Sequence, residues 1–307
     1  MKRNVYLYFA VKLILLLLIV FLIDFCIGNI LRHFYLKEGT GRQYRATYTI
    51  EKTTDDILIF GSSRAYHHYV PSIIEDSLKQ SCYNTGSPGQ FLLYNYATLK
   101  AVLKRYSPKL IILDVSPRDL AEDKESYDRL SFLLPYYRDH PEIRPIVDLK
   151  SPFEKYKLLS SIYPFNSKFL MIIGGNLNYF KNKFSDIKGY KPLYRKWNKS
   201  IEIKSPDTYK LDPIKEKVFL SFIEDCDHAG SNLLVVCSPN FIKYNKPDYS
   251  ITVMQKYAKS KNISFIDFTN DTAFINHPDL FDDLDHLNKR GSEIFTINLV
   301  EKLTKRP

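Results

Sequence analysis

Short apolar segments that are typical of buried strands alternate with amphipathic segments that are typical of helices, in two separate parts of the chain. Strands that are separated by helices predict a parallel sheet, because each crossover helix returns the chain to the same edge of that sheet. We therefore expect an α/β fold with a doubly wound, flavodoxin-like, parallel five-stranded sheet. The strand-like segments are residues 57–60, 81–86, 109–117, 232–239 and 263–269, and the helix-like segments are residues 71–80, 92–106, 214–230, 248–262 and 288–305.

The amino-terminal segment is the most apolar part of the chain. Residues 13–23 read LILLLLIVFLI, and apolar residues extend the segment over residues 5–31. About 20 such residues suffice to cross a bilayer, and Lys12 and Asp24 lie where their charges can reach the headgroups. Because no convincing small-x-small cleavage site follows the apolar run, we predict an uncleaved transmembrane signal anchor over residues 1–31.

The charges that flank this anchor do not decide its orientation by themselves. Lys2, Arg3 and Lys12 favour a cytoplasmic amino terminus, but Arg32 and Lys37 follow on the other side. The very short amino-terminal tail favours an outward-facing globular part, and we expect that topology.

The rest of the chain divides into a linker and one α/β domain. Residues 32–55 are polar and show no clear period, which predicts a linker. Residues 56–307 carry the strand and helix alternation. Within them, residues 121–212 are rich in Tyr, Lys and Pro and interrupt the alternation, so we predict an inserted, mainly helical cap there.

Charge and cysteine content exclude several classes of function. The net charge is +10, but the lysines are scattered and no basic run is interleaved with stacking aromatic residues, so we expect no nucleic-acid partner. Attraction to an anionic membrane or an acidic polymer would explain the positive charge as well as nucleic-acid binding would. The four cysteines form no CxxC pair, and we expect no metal and no cofactor.

Polar residues follow the predicted strands at the edge of the sheet where ligands of such folds bind. Gly61, Ser62, Ser63 and Arg64 follow the first strand. The segment YNTGSPG, with Asn84 and Gly86, ends the second strand, Ser116 and Arg118 end the third, and DDLDHLNKRG (282–291) follows the last one.

Asp283 and His286 lie three residues apart before the final helix, a spacing at which a carboxylate can orient an imidazole. A hydrolytic triad needs such a pair together with a hydroxyl group. Ser63, after the first strand, lies at the same edge of the predicted sheet, which makes Ser63, His286 and Asp283 a candidate triad.

Other interpretations of these residues remain open. Ser62 and Ser63 are also good helix caps. Asp282 or Asp285 could replace Asp283 as the acid. The adjacent His67 and His68 point apart on a helix and lack a third ligand, so we interpret them as surface or packing residues.

The motifs IFGSSR, NTGSPG and DLDHLNKRG together resemble those of the SGNH/GDSL hydrolase superfamily. The likeness is greatest to its membrane-anchored bacterial cell-envelope branch, which includes the D-alanylation protein DltD and the alginate acetylation proteins. The resemblance covers roughly residues 55–120 and 213–307. It implies an SGNH fold, a serine nucleophile at Ser63, an acid and a base at Asp283 and His286, and a backbone oxyanion donor at Gly86.

This chain departs from the family pattern in two places. Ser62 stands where many members have aspartate, and Ser116-Pro117-Arg118-Asp119 stands where most have G-x-N-D. The asparagine donor of the oxyanion site is therefore unassigned. Arg64 or Arg118 could supply a charge-assisted donor, and we add Asn84 as a substrate-binding candidate.

The resemblance implies a serine esterase or O-acyltransferase that acts on acyl esters of a cell-envelope glycan. It also implies a location in the bacterial inner membrane, with the globular part on the periplasmic face, and a membrane-bound O-acyltransferase as a possible partner. A non-catalytic SGNH-fold scaffold that binds a polysaccharide or such a partner is the alternative.

Overall fold

A computed structural model describes residues 2–177 and 186–305, without the side chains of residues 2–4 and of residue 202. The described residues form two compact units. One consists of residues 2–44 and 131–177, and the other of residues 45–130 and 186–305.

The described residues contain seven strands: β1 Ile57–Phe60, β2 Cys82–Asn84, β3 Leu110–Asp114, β4 Glu202–Lys204, β5 Asn232–Cys237, β6 Ile242–Tyr244 and β7 Ser264–Asp267. They also contain thirteen α-helices: α1 Lys2–Lys37, α2 Gly41–Thr47, α3 Ser63–His68, α4 Pro71–Leu78, α5 Leu92–Arg105, α6 Glu125–Asp128, α7 Arg144–Val147, α8 Glu154–Lys157, α9 Phe169–Asn176, α10 Pro213–His228, α11 Tyr249–Ser260, α12 Thr272–Ile275 and α13 Lys289–Thr304. One π-helix spans Tyr48–Lys52, and 3-10 helices span Arg129–Tyr136, Pro141–Ile143, Asp148–Lys150, Tyr163–Phe165 and Pro278–Leu280.

Five of the strands form one parallel sheet in the order β2-β1-β3-β5-β7. Ile57 of β1 is in register with Cys82 of β2 and with Leu110 of β3. The carboxyl ends of all five strands therefore lie at one edge of the sheet. The predicted mixed α/β architecture with a parallel five-stranded sheet is confirmed, while β4 and β6 form a separate parallel pair.

The central strands are continuous apolar runs because both of their faces are buried. Every residue of β1 is buried. Ile57 and Ile59 belong to the same core cluster as Phe295 of α13, whereas Phe60 packs edge-on against Phe222 of α10, with ring centroids 6.0 Å apart. Successive side chains of the strand thus face different parts of the core, as the alternation of side chains along a strand requires.

Helix α1 is the long apolar helix that the sequence predicts, and it continues beyond residue 31 to Lys37. Its length and composition are sufficient to span a membrane. Side chains 5–23 are all exposed, whereas Gly28, Leu31 and Tyr35 of α1, and Glu38 just after it, are buried. This spacing of three and four residues marks one helix face, so the carboxyl-terminal part of α1 packs within its own unit.

The segment that was expected to be a linker is helical. Residues 41–52 form α2 and the π-helix, and Ala46, Thr49 and Ile50 are buried. Arg105 of α5 donates to three carbonyl groups of this segment, at 2.7–3.0 Å. Apolar periodicity does not predict this helical segment, whose contacts include the hydrogen bonds from Arg105 to its backbone carbonyl groups.

The segment predicted as a cap, residues 121–212, does not form one unit. Residues 131–177 are mainly short helices and belong to the unit that contains α1. Residues 121–130 and 186–212 belong to the unit that contains the sheet, where 186–212 contribute β4 and no helix. The remaining part of the prediction falls on residues 178–185, outside the described residues.

Candidate active site

A sharp turn between β1 and α3 positions Ser63. Gly61 has a φ of +151°, in the region that side chains disfavour, and an added Cβ would lie 2.7 Å from Cβ of Ala65. The turn makes Ser63 the first residue of α3, directly beyond the carboxyl end of β1. The side chain of Ser62, at the cap position, makes no capping hydrogen bond. Neither serine is therefore explained as a helix cap.

Ser63, His286 and Asp283 form one chain of hydrogen bonds. Oγ of Ser63 lies 2.8 Å from Nε2 of His286, and Nδ1 of His286 lies 2.9 Å and 3.0 Å from the two carboxylate oxygens of Asp283. An ionised Asp283 requires the proton of the neutral imidazole to be on Nδ1. Nε2 then has its lone pair directed at the hydroxyl group of Ser63, which is the arrangement of a general base and a nucleophile.

The surroundings of Asp283 keep it ionised. Partial burial alone would raise the pKa of Asp283, but the hydrogen bond and charge of His286 and the N–H groups of Asp285 and His286 lower it to about 2. Both N–H groups donate to Oδ1 at 2.9 Å. The loop thus fixes the carboxylate and the imidazole together.

The two alternative acids have different environments. Asp282 is buried and accepts hydrogen bonds from the backbone and the guanidinium group of Arg195, at 2.8 Å and 2.9 Å. Asp285 is exposed. Of the three aspartates, Asp283 is the one that contacts the ring of His286.

His68, which the sequence indicates to be a surface or packing residue, lies in the interior and supports this loop. His68 is fully buried, and its Nε2 accepts the backbone N–H of Leu287 at 3.0 Å, while its Nδ1 lies 3.0 Å from Oγ of Ser238. Burial, and then the charge of Arg64, lower the pKa of His68 well below its ordinary value, which keeps the ring neutral. His68 therefore connects α3 to the residue after His286 and to the end of β5.

His67 lies one helical turn after Ser63 and faces His286. The two imidazole rings meet edge to face with centroids 5.4 Å apart. Nδ1 of His67 donates to the carbonyl oxygen of Lys191 at 2.7 Å. Burial, and to a smaller degree the charges of His286 and Arg45, lower the pKa of His67 to about 4. His67 is thus a neutral neighbour of His286, the candidate base, at physiological pH.

Gly86 and Asn84, both predicted to serve the oxyanion or the substrate, are engaged with each other. The N–H of Gly86 donates to Oδ1 of Asn84 at 2.9 Å, and Nδ2 of Asn84 donates to the carbonyl groups of Ala65 and Tyr69. A Cβ on Gly86 would lie 2.6 Å from the nitrogen of Tyr66. Both residues hold α3 against the end of β2, and the predicted donor at Gly86 is already in use.

The two arginines suggested as replacement donors are engaged elsewhere. Arg64 is buried, and its guanidinium group donates to the carbonyl oxygen and the hydroxyl group of Ser238. Arg118 is exposed and pairs with Asp207. Because these contacts orient both guanidinium groups toward other partners, neither arginine donates to the triad in this structure.

The sequence weakly indicates that His67 lies near Ser63. Ser63 and His67 are four residues apart, which places them on one side of a helix. For His68 the sequence has no such signal, because its partners are more than 150 residues away. Among the described residues, no group of His, Cys, Asp and Glu side chains has the arrangement of a metal site.

No protein-family model matches the chain, and no curated protein matches it significantly.

Proposed function

We propose that this protein is a membrane-anchored serine esterase or O-acyltransferase with an SGNH-type fold. The observation that carries the proposal is the continuous hydrogen-bonded chain from Ser63 through His286 to Asp283. The strand order and the motifs at the strand ends support a doubly wound, flavodoxin-like classification of the sheet.

In the proposed reaction, Oγ of Ser63 attacks an ester carbonyl carbon while Nε2 of His286 takes the hydroxyl proton. Asp283 stabilises the imidazolium ion through its bond to Nδ1. When the tetrahedral intermediate collapses, His286 donates that proton to the leaving alcohol oxygen, and the acyl group remains esterified to Ser63. Water or a sugar hydroxyl group then attacks the acyl carbon, and its proton returns through His286 to Ser63.

The negative oxygen of the intermediate requires hydrogen-bond donors. The backbone N–H of Ser63 suits this role, because the first N–H groups of a helix have no acceptor within the helix. Gly86 could contribute only by exchanging Asn84 for the oxyanion. Losing one such donor costs about 10²–10³ in turnover, so we expect a slow enzyme if Asn84 keeps its bond.

The anchor and the resemblance to cell-envelope proteins lead us to propose a location in the bacterial inner membrane, with the sheet-containing unit on the periplasmic face. The proposed substrates are acyl esters of an envelope glycan. A membrane-bound O-acyltransferase is the proposed partner.

Covalent labelling tests the nucleophile. The full chain in detergent is treated with a fluorophosphonate probe and, separately, with p-nitrophenyl acetate. We expect labelling and hydrolysis that are lost in Ser63→Ala and kept in Ser62→Ala, which removes a neighbouring hydroxyl group that makes no capping bond. Equal labelling of the Ser63→Ala variant would refute the assignment.

The second candidate function is a non-catalytic scaffold for a polysaccharide or a membrane acyltransferase. It is favoured by the engagement of Gly86 with Asn84 and of Arg64 with Ser238, which leaves fewer oxyanion donors than an efficient esterase uses. A chain that is neither labelled nor hydrolytic, but that retains a glycan in a pull-down, would support the scaffold.

A further inference from the structure

The part of α1 that is exposed on every face ends at a defined point. Beyond Asp24, Phe25, Ile27 and Ile30 remain exposed on one face, while Gly28 and Leu31 are buried on the other. Side chains 5–23 are all exposed, and 19 helical residues extend over about 28 Å, close to the thickness of about 30 Å for the hydrocarbon core of a bilayer. Asp24 follows and is partly buried. The boundary between the apolar span and the part of α1 that packs within its own unit therefore lies at Asp24.

The turn that contains Ser160 and Ser161 is fixed to α1 at this boundary. The carboxylate of Asp24 accepts hydrogen bonds from Oγ of Ser160 at 2.5 Å and from the N–H of Ser161 at 2.6 Å. One helical turn further on, α1 approaches the same turn so closely that a Cβ on Gly28 would lie 2.3 Å from Cβ of Ser161. Residues next to Ser160 are thus held at the level where the span ends.

The residues that precede Ser160 expose large apolar side chains at this level. Phe153 is 64 % exposed, Tyr156 is 60 % exposed and Leu159 is 77 % exposed. Lys155 and Lys157 lie among them and are also exposed. Aromatic residues and leucine that are interleaved with lysine are typical of segments that insert between lipid headgroups.

The backbone that carries these side chains is fixed by a buried carboxylate. The side chain of Glu154 has no exposed surface, and it accepts hydrogen bonds from the hydroxyl group of Tyr163 at 2.5 Å and from Lys150 and Lys157 at 3.3 Å. These bonds satisfy polar groups inside the turn, so its apolar side chains face outward.

We propose that residues 153–159 insert into the headgroup region of the bilayer that α1 spans, and so form a second membrane contact. The inference rests on the membrane anchor proposed above and is independent of the catalytic proposal. The exposed apolar side chains lie next to the end of the span, and the exposed Lys155 among them complements anionic lipid headgroups.

The helix α9 provides a matched comparison within the same unit. Leu170 is 79 % exposed, nearly the same as Leu159. However, Nδ2 of Asn176 donates to the carbonyl oxygen of Phe34, and Met171 contacts Gln43. Phe34 lies ten residues, or about 15 Å of helix, beyond Asp24. We therefore expect Leu170 to lie outside the headgroup region.

Tryptophan substitutions in the full chain test the proposal. Phe21→Trp, Leu159→Trp and Leu170→Trp are each reconstituted into vesicles of phosphatidylcholine and phosphatidylglycerol, with and without dibrominated acyl chains. Emission from the native Trp197, measured in the unsubstituted chain, is subtracted. We expect brominated lipid to quench the added emission at positions 21 and 159 and to leave it unchanged at position 170.

Each of the other possible results contradicts a specific part of the proposal. Quenching at position 21 without quenching at position 159 overturns the second contact and keeps the anchor. Quenching at both positions 159 and 170 overturns the assignment of the contact to residues 153–159. No quenching at position 21 overturns the anchor and the inference that rests on it.

Discussion

Nε2 of the buried His68 accepts the backbone N–H of Leu287, the residue that follows His286. Ser63, on the same short helix as His68, contacts the ring of His286 itself. Helix α3 therefore supplies both the hydroxyl group of the candidate triad and a support for the loop that carries its base. The two contacts fix the distance between nucleophile and base more firmly than either would alone.

Replacing His68 is expected to destabilise the protein. His68→Ala leaves the buried N–H of Leu287 without its acceptor and creates a cavity, which together cost about 2–4 kcal/mol. The melting temperature of the full chain in detergent should fall by at least about 4 °C. His68→Gln, which keeps an acceptor and part of the volume, should recover some of that loss; an unchanged melting temperature for His68→Ala would contradict the supporting role.

Replacing Asp283 is expected to reduce turnover while Ser63 remains present. Asp283→Asn removes the charge that holds Nδ1 protonated, and losses of about 10²–10⁴ in kcat are expected for such a change. Hydrolysis of p-nitrophenyl acetate measures it. Asp285→Asn is the matched control, because Asp285 is exposed and does not contact the ring. Equal losses in both variants would show that Asp283 is not the specific acid.

Glu38 is expected to make the unit that contains α1 sensitive to pH. Burial raises the pKa of Glu38 to about 8, and its Oε1 has no hydrogen-bond partner among the described residues. The folded state therefore retains a proton that the unfolded chain releases near pH 4.5. The stabilisation is complete below that pH and is lost as the pH rises through about 8.

Glu38→Gln, which resembles the protonated side chain, should remove this dependence. Melting temperatures of the two proteins in detergent should be similar near pH 5 and should diverge toward pH 8, with the variant the more stable by a few kcal/mol at the upper end. Parallel pH profiles would mean that Glu38 is not protonated in the folded protein.

Features that depend on neighbouring residues could be predicted from the sequence. The apolar runs of β1, β3 and β5 predicted buried parallel strands because both faces of such strands exclude water. The run of apolar residues at the amino terminus predicted a helix long enough to span a membrane, and α1 has that length and composition. The pairing of Asp283 with His286 was also predictable, because three residues separate the two and a single loop places the carboxylate beside the ring.

Features that depend on distant residues were decided by the tertiary structure. The sequence offered Arg64 and Arg118 as oxyanion donors, but packing engages them with Ser238 and Asp207, which lie 174 and 89 residues away. Gly86, the third candidate donor, is engaged locally by Asn84, two residues before it. The helical segment 41–52 is held at its carboxyl end by Arg105, which donates to the carbonyl oxygens of Thr49 and Ile50, more than 50 residues earlier in the chain.

The sequence alone therefore determined the five strands of the main sheet, the helices that connect them and the residue types at the strand ends, since local periodicity and turn chemistry set these features. Only the tertiary structure decided which of those polar groups remain available for chemistry. A donor in a packed interior bonds to whichever acceptor the fold brings within about 3 Å, and for Arg64 that acceptor lies 174 residues away.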